Sequence, residues 1–238
     1  MIKQRPFEAI IFDHDGTLID TESSDFQAWE MLYKEFGAML SLEHWAETAV
    51  GHTDGYDNLF KELIRRSDYG VDQSALRKRL RELRSITEKN VALMPGVSNL
   101  LPQLHAAGFP LGVASASDRK WIVRWLTSFD LEAYFQVIVS GDDIAHNKPA
   151  PDVYLFAANQ MGVQPENCLV FEDSLAGVQS AKSAGMTVIA VPNVITRTLD
   201  FSQADDVIEG LEDVTLEWLV ELGERFNPGS ESGAASPG

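Results

Sequence analysis

Five short apolar runs, each about the length of a β-strand, constrain the fold of this chain more than any other feature. They are continuous rather than alternating, which is typical of strands that helices cover on both faces. The runs are Ala9–Phe12, Leu111–Ala114, Val137–Val139, 169–171 and 188–191. Amphipathic stretches of helical length separate them, at 97–107, 118–128, 152–161 and 175–184, with stop glycines at Gly108, Gly162 and Gly185. Such alternation predicts an α/β fold with a Rossmann-like, doubly wound parallel sheet.

Residues 20–91 interrupt this alternation of strands and helices, because they have a helical pattern and contain no strand-like run. Apolar residues recur there at helical spacing, and we interpret them as core packing: Phe26, Trp29, Leu32, Tyr33, Phe36, Leu76, Leu80 and Leu83. The segment predicts a helical cap inserted into a core that consists of residues 1–19 and 92–225. The small polar residues of 226–238 predict a disordered tail.

Charge and composition narrow the classes of partner. The formal net charge is −17, from 36 acidic and 19 basic side chains, which argues against nucleic acid as a partner but not against a small anion. No run reaches the roughly 20 apolar residues of a membrane span, so we expect no membrane partner. Cys168 is the single cysteine, which excludes an intrachain disulfide. Because it lies in an apolar run, we interpret it as a buried packing residue. We expect a cytoplasmic protein, with a monomer as the default.

The first polar motif is Asp13-His14-Asp15-Gly16-Thr17, directly after the first apolar run. Extended residues two apart project to the same side, so the two aspartates can face one site while His14 points away into the packing. Gly16 lets the backbone turn away just after them. Two adjacent carboxylates repel unless a cation is present or one is protonated, and Mg²⁺ prefers such oxygen ligands.

The second motif, VASASD, follows the second apolar run and precedes a helix. Ser117 or Asp118 is suited to cap that helix. Ser115, together with nearby free backbone N–H groups, could instead bind a phosphate oxygen. Taken alone, this motif favours the plain cap.

The third motif, NKPAPD, places Lys148 directly before two prolines, Pro149 and Pro151, which fix the chain around it ahead of another helix. A single lysine is most often a solvated surface charge. A rigidly held lysine beside carboxylates could instead neutralise a phosphoryl group. The motif by itself leaves both interpretations open.

The fourth motif, VFEDSLAG, delivers Glu172 and Asp173 from an apolar run into the turn before a helix. A helix cap with an acid in its first turn is the structural interpretation. Metal ligation by Asp173, supported by Glu172, is the functional one. This motif too is ambiguous until the four are considered together.

All four motifs follow predicted parallel strands, and as a set they resemble the haloacid dehalogenase-like superfamily. The resemblance is to its β-phosphoglucomutase-like branch, which carries a helical cap after the first motif. It covers residues 7–222 and rests on FDHDGTLIDTE, VASASD, KPAPD and FEDSLAG.

The resemblance implies an enzyme that hydrolyses a small-molecule phosphomonoester with Mg²⁺ through an aspartyl-phosphate. It makes Asp13 the nucleophile and Asp15 the general acid and then the general base. The dehalogenases of the superfamily lack this acid and the magnesium site, so Asp15 points to phosphate chemistry. The resemblance also implies that Mg²⁺ is bound by the Asp13 carboxylate, the Asp15 backbone carbonyl and the Asp173 carboxylate, while Glu172 holds the metal's waters. The phosphoryl group would be bound by Ser115, Ala116 and Lys148.

A sugar-phosphate mutase of the β-phosphoglucomutase type is the alternative function. Mutases of this branch carry a histidine on the first cap helix and an arginine in a substrate loop. The corresponding positions here are Asp25 and Asp54, which favours hydrolysis. A catalytically idle relative would be expected to lose charged motif residues, and all of them are present.

The cap also contains a concentration of basic residues, namely Lys61, Arg65, Arg66, Arg77, Lys78, Arg79, Arg81, Arg84 and Lys89. Interspersed glutamates favour solvated helix faces over an anion-binding surface. The loop at 51–55 is the cap element that we expect to reach the substrate, with His52 and Thr53 as candidate contacts. Its closure would expel water and set specificity.

Overall fold

A computed structural model describes residues 5–50, 55–66 and 72–226. The strands are β1 (Ala9–Phe12), β2 (Leu111–Ala114), β3 (Val137–Val139), β4 (Cys168–Glu172), β5 (Thr187–Ala190) and β6 (Asp206–Val207). They form one parallel sheet in the order β3-β2-β1-β4-β5-β6. The strand order changes direction between β1 and β4, where open α/β sheets bind their ligands. The predicted Rossmann-like α/β fold is confirmed.

The five predicted strands all form, within one residue of their expected ends, and β6 is the one that the sequence pattern missed. It has two residues, one of them acidic, at the open edge of the sheet. An edge strand of this length carries no apolar run, because neither face has to be covered. Its pairing with β5 is therefore decided by the tertiary structure.

The helices are α1 (Thr21–Glu35), α2 (Leu42–Thr48), α3 (Gly55–Arg66), α4 (Gln73–Thr87), α5 (Val97–Ala106), α6 (Arg119–Ser128), α7 (Asp152–Met161), α8 (Leu175–Ser183) and α9 (Leu216–Phe226). The three predicted stop glycines all have positive φ, from 70° to 82°. A glycine adopts this conformation at a helix end without the steric cost of a Cβ.

Helices cover both faces of the sheet, which explains why the strands are continuously apolar. Ile10 and Phe12 of β1 belong to a buried core with α5, α6 and α9. Ala9 and Ile11, which point the other way, belong to a second core with α7 and α8. All four side chains of β1 are therefore buried. Cys168 is a free, buried cysteine of the second core, as predicted.

The inserted segment is helical, as predicted, and α1–α4 enclose a third core of their own. Trp29 contacts the rings of Trp45, Tyr56 and Phe60 at its centre. The predicted stripes on α1 and α4 line this core, since Leu32, Tyr33, Leu76, Leu80 and Leu83 are buried in it and Phe26 and Phe36 pack against it. The cap is thus stabilised mainly by its own apolar packing, and Ile195 from the loop after β5 is buried in the same cluster.

Two antiparallel chain segments connect the cap to the sheet. Ile19 pairs with Leu93, and the Asp20 amide donates to the Ala92 carbonyl at 2.9 Å. This pairing supports our proposal that the cap spans residues 20–91. The predicted tail, 226–238, lies outside the described residues except for Phe226, the last residue of α9. None of the helices in the described part of the chain combines the length and the hydrophobicity that a bilayer crossing demands.

Candidate active site

Loops at the carboxyl ends of the strands bring the predicted polar residues to one cleft of about 280 Å³. Asp13 follows β1, Ser115 follows β2, Lys148 lies between β3 and α7, and Asp173 follows β4. These loops are neighbours because β1 lies between β2 and β4. The cap forms the opposite wall with Glu22, Ala49, Val50 and Tyr56.

Lys148 lies at the centre of the site and is buried between two carboxylates. Its Nζ donates to Asp13 Oδ1 at 2.5 Å, to Glu172 Oε1 at 2.6 Å and to the Ala114 carbonyl at 3.1 Å. Burial lowers the pKa of Lys148, but the charges of Asp13 and Glu172 outweigh burial and raise that pKa above its usual range. Lys148 is therefore a fixed cation beside Asp13, and the solvated alternative is wrong.

Glu172 is fully buried, and both of its oxygens are occupied by protein donors. Lys148 and the Tyr154 hydroxyl, at 2.8 Å, donate to Oε1, while the amides of Asp173 and Ser174 and the Ser174 hydroxyl donate to Oε2 at 3.0 Å. A Cβ on Gly177 would overlap this carboxylate. Glu172 thus links the lysine to the turn that carries Asp173.

Asp173 borders the cleft and is held on one side only. Its Oδ2 accepts a hydrogen bond from Asn193 Nδ2 at 2.7 Å, whereas Oδ1 has a long contact of 3.4 Å with the Thr17 hydroxyl. A Cβ on Gly16, whose φ is +78°, would meet the Asp173 carboxylate. The glycine of the first motif therefore serves the close approach of Asp173 as well as the turn.

Asp13, Glu172 and Asp173 each offer an oxygen within 4.8 Å of the others, and the Lys148 ammonium group pairs with the first two of them. Burial raises the pKa of Asp13 to about 7 although Lys148 opposes the shift, and burial and Glu172 raise the pKa of Asp173 well above its usual range. These shifts reflect burial first, and then the repulsion between neighbouring carboxylates that one lysine does not fully offset. An all-oxygen donor set with excess negative charge suits Mg²⁺.

Asp15 accepts hydrogen bonds from a set of side-chain donors close to Asp13. Thr21 Oγ1 at 2.6 Å and Trp121 Nε1 at 2.8 Å donate to its Oδ1, and Ser117 Oγ donates to its Oδ2 at 2.6 Å. Burial raises the pKa of Asp15, but the charge of His14 and the hydrogen bonds from Ser117 and Thr21 lower it below its usual range. The donors therefore favour the carboxylate form.

His14 is fully buried, in agreement with a packing role. The prediction that His14 points away from the site is not met, however, because its Nδ1 lies 3.1 Å from Asp15 Oδ1. Neither ring nitrogen makes a hydrogen bond within the described residues, so the contact of Nδ1 with Asp15 is electrostatic. The sequence argument from alternation was thus incomplete, because the turn after Asp13 is no longer extended.

The second motif supplies both a helix cap and part of the cleft. Asp118 caps α6 by accepting the Trp121 amide at 2.9 Å. Ser115 is buried, and its hydroxyl accepts the Ser117 amide at 3.1 Å and lies 3.4 Å from Asp15 Oδ2. Ala116 lines the cleft and is exposed. The two interpretations of this motif thus apply to different residues.

A second cleft of about 250 Å³ adjoins the first between α1, α4 and α6. Asp25 and Arg84 form an ion pair there, with Arg84 Nη2 donating to Asp25 Oδ2 at 2.8 Å. The Tyr56 hydroxyl donates to the same carboxylate at 2.5 Å. Glu22 borders both clefts, and burial, followed by the charge of Asp25, raises its pKa well above its usual range.

The remaining cap cations follow the prediction of solvated helix faces. Arg66 pairs with Glu62, Arg77 with Asp57, and Arg79 with Glu35 and Glu82, all with exposed guanidinium groups. Of the nine basic residues, Arg84 alone lines a cleft within the described residues. His52 and Thr53 lie outside the described residues, so their predicted contacts stay predictions.

A larger cavity of about 790 Å³ lies beyond Asn193, near the connection to the cap. Its lining includes Asp20, Arg197 and Glu209 among mostly apolar side chains. It contains neither of the paired aspartates nor Lys148. We therefore assign the chemistry to the smaller clefts.

Sequence reasoning missed five residues that contact the predicted acids, namely Thr17, Thr21, Trp121, Tyr154 and Asn193. Asn193 offered a signal, because it is a polar residue closely following β5 and so resembles the other four loops in position. The other residues lie within motifs or helices at spacings that carry no chemical pattern. Only the folded chain places them beside the carboxylates.

Comparison with known proteins relates this site to one family. Residues 10–191 match the family described as haloacid dehalogenase-like hydrolase. The fructose-1-phosphate phosphatase YqaB of Escherichia coli is 32% identical over 186 residues, which cover 78% of this chain and 96% of that protein. A phosphorylated carbohydrates phosphatase of Thermotoga maritima is 33% identical over 181 residues, with 75% and 82% covered.

A solved structure shows the same architecture. It is a variant of CbbY from Rhodobacter sphaeroides in complex with xylulose-1,5-bisphosphate. It superposes with a TM-score of 0.72 at 27% identity, over 90% of this chain and 99% of that one. Together with the family match, these relatives show that the chain belongs to the haloacid dehalogenase-like hydrolases, in their β-phosphoglucomutase-like phosphatase branch, and is a phosphatase.

Proposed function

We propose that this enzyme hydrolyses a small phosphorylated metabolite with Mg²⁺ through an aspartyl-phosphate on Asp13. The observation that carries the proposal is the position of Lys148, 2.5 Å from Asp13 and 2.6 Å from Glu172, at the strand ends beside Asp173. Phosphoryl transfer depends mostly on positioning and charge neutralisation, and this arrangement provides both. The names of the relatives YqaB and phosphorylated carbohydrates phosphatase support a sugar phosphate as the substrate.

In the first half-reaction, an Asp13 oxygen attacks phosphorus, and the bond from phosphorus to the leaving oxygen breaks. Lys148 would turn the donor that now reaches Asp13 toward a phosphoryl oxygen, while Glu172 and the Ala114 carbonyl keep its other two donors in place. Ser115 and the backbone of Ala116 border the same cleft and would hold another phosphoryl oxygen. The nucleophile and the neutralising groups thus come from different strands of one sheet.

Asp15 would protonate the leaving oxygen and later remove a proton from water. Its present donors favour the carboxylate, which suits the base in the second half-reaction. Delivery of a proton in the first half-reaction requires Asp15 to leave some of these donors. Entry of the substrate between Asp15 and the cap would displace them, because Thr21, Ser117 and Trp121 line the adjoining cleft.

Asp13, the Asp15 carbonyl and Asp173 would hold Mg²⁺, while Glu172 fixes Lys148 and the turn of Asp173. When bound, Mg²⁺ offsets the charge of the carboxylates and of the phosphoryl oxygens. The Asn193 amide orients Asp173 by occupying Oδ2 at 2.7 Å, which leaves Oδ1 with only the long Thr17 contact.

The mutase alternative draws no support from the described cap residues. Asp25 occupies the position of the mutase histidine, and it is engaged by Arg84 and Tyr56. A carboxylate held in an ion pair cannot take the part of a neutral imidazole as a proton carrier. Hydrolysis is therefore the function that we propose.

The test is phosphate release from p-nitrophenyl phosphate with Mg²⁺ and with excess EDTA. We expect turnover with Mg²⁺ only, complete loss in Asp13→Asn, and accumulation of phosphorylated protein by mass spectrometry in Asp15→Asn. Asp213→Asn, an exposed aspartate far along the chain, is the control and should keep wild-type turnover. Undiminished activity in EDTA, or a phosphoryl adduct on any residue other than Asp13, would contradict the proposal.

A further inference from the structure

Glu22 is the acidic side chain of the cap that borders both clefts. It lies in the first turn of α1, next to Thr21, whose hydroxyl donates to Asp15. Ser115 and Lys148 line the first cleft together with Glu22, and Trp121 lines the second. A substrate whose phosphate lies at Asp13 therefore shares the cleft with this side chain.

The Glu22 carboxyl group lacks the donors that its neighbours have. Its Oε2 is inaccessible to solvent and has no hydrogen-bond partner within the described residues. Asp15 is held by Thr21, Ser117 and Trp121. A buried carboxyl oxygen without a donor is costly, and such a group calls for an explanation.

The cations bordering the two clefts are already engaged. Lys148 is held by Asp13 and Glu172, and Arg84 by Asp25. The lining has no further lysine or arginine within the described residues. A second phosphate on the substrate would therefore find no unpaired cation among the described lining residues, whereas a hydroxyl group would supply the donor that Glu22 lacks.

We propose that Glu22 is a specificity-determining residue, which accepts a hydrogen bond from a hydroxyl of the leaving group and selects polyhydroxylated monophosphates over bisphosphates. The inference rests on the proposed phosphatase function and names its substrate class. A carboxyl group that is satisfied only by the substrate discriminates strongly, because an analogue without the hydroxyl leaves it unpaired.

The test compares substrates that differ in one group, using the full-length enzyme with Mg²⁺. Fructose 1-phosphate and fructose 1,6-bisphosphate differ in the second phosphate, and p-nitrophenyl phosphate carries no hydroxyl group. We expect kcat/KM for the monophosphate to exceed that for the bisphosphate by about 100-fold or more. Equal values, or a preference for the bisphosphate, would overturn the inference.

Glu22→Met removes the carboxyl group at similar length, and Glu30→Met changes an exposed glutamate of the same helix as the matched control. We expect the ratio of kcat/KM for fructose 1-phosphate to that for p-nitrophenyl phosphate to fall about 10-fold or more in Glu22→Met. Glu30→Met should keep the wild-type ratio. An unchanged ratio in a folded Glu22→Met protein would contradict the role of Glu22.

Binding gives a second readout that does not depend on turnover. Calorimetry with Asp13→Asn and fructose 1-phosphate should show about 10-fold weaker binding when Glu22→Met is added. Equal binding by both proteins would count against the inference even if Glu22→Met is slow. Absence of phosphate release from every substrate, p-nitrophenyl phosphate included, would instead overturn the proposed function, and the inference with it.

Discussion

The core and the cap each place one cation beside carboxylates at the same clefts, and they do so differently. Lys148 has 4% of its side chain exposed and contacts two carboxylates, with a third, Asp173, close by. Arg84 has 28% exposed and pairs with one carboxylate, Asp25. The core cluster has excess negative charge, whereas the cap pair is balanced.

This difference in charge balance suggests different roles, with the chemical step at the core cluster and substrate recognition at the cap. In the proposed mechanism, the excess carboxylate around Lys148 receives a divalent cation, and the same site receives the phosphoryl group that every substrate carries. The Arg84–Asp25 pair in the cap is balanced and needs no additional counterion. Among the described residues, Glu22 is then the buried cap carboxyl group with an oxygen that lacks a donor. We therefore expect core substitutions to affect all substrates and cap substitutions to affect some.

The largest effect should come from Lys148→Met, which leaves Asp13 and Glu172 without their shared cation. We expect kcat for p-nitrophenyl phosphate to fall about 1000-fold or more, and the free energy of unfolding in Mg²⁺-free buffer to fall by about 3 kcal/mol. Steady-state kinetics and urea denaturation measure these. Lys182→Met, which removes a half-exposed pair with Asp205, is the control and should cost less than about 1 kcal/mol. If Lys148→Met kept more than a tenth of the wild-type kcat, the claim that the core cluster carries the chemical step would be contradicted.

Trp121→Phe tests a core residue at the border with the cap. The substitution keeps an aromatic ring but removes the N–H that donates to Asp15 Oδ1 at 2.8 Å. We expect kcat to fall about 10-fold with KM little changed, because the acid–base group loses a positioning contact. Trp125→Phe on the same helix is the matched control, since the Trp125 N–H has no partner within the described part of the chain. Equal kcat in the two variants would refute the positioning role.

Arg84→Met measures how much the balanced cap pair contributes. The pair with Asp25 is partly exposed and bidentate, so we expect a loss of about 1 kcal/mol in the free energy of unfolding. A double-mutant cycle with Asp25→Asn isolates the coupling between the two side chains. A loss as large as that from Lys148→Met would show that the two clusters are not different in kind.

The smallest effect is expected on the outer surface of the cap, at Glu35 and Arg79. The hydrogen bond from Arg79 lowers the pKa of Glu35 below its ordinary value of 4.5, so the stabilisation is present above that value and is lost as the pH falls below it. Because both side chains are more than a third exposed, Glu35→Gln should cost less than about 0.5 kcal/mol at pH 7. Chemical denaturation at pH 7 and near pH 3 measures the difference, which should vanish at the lower pH. A cost that grows on acidification would contradict this assignment.

Much of the fold and of the core site could be predicted, because both depend on local patterns. A strand covered on both faces must be apolar along its buried length, as β1 is and as β4 is before Glu172, and the ends of these strands position Asp13 and Asp173. The strand β6 could not be predicted, because two residues at an open edge need no apolar run. The orientation of His14 was not foreseen either, since strand alternation ends where the turn begins.

The sequence by itself determined the alternation of strands and helices, the inserted helical segment and the identity of the acids and the lysine that follow the strands. These follow from burial and from the direction of neighbouring side chains, which act over a few residues. The tertiary structure alone decided that Trp121 and Thr21 hold Asp15, that Asn193 orients Asp173, and that Arg84 is already engaged by Asp25. Such contacts join residues up to 106 positions apart, or in different elements, and no local pattern encodes which of many polar side chains will meet.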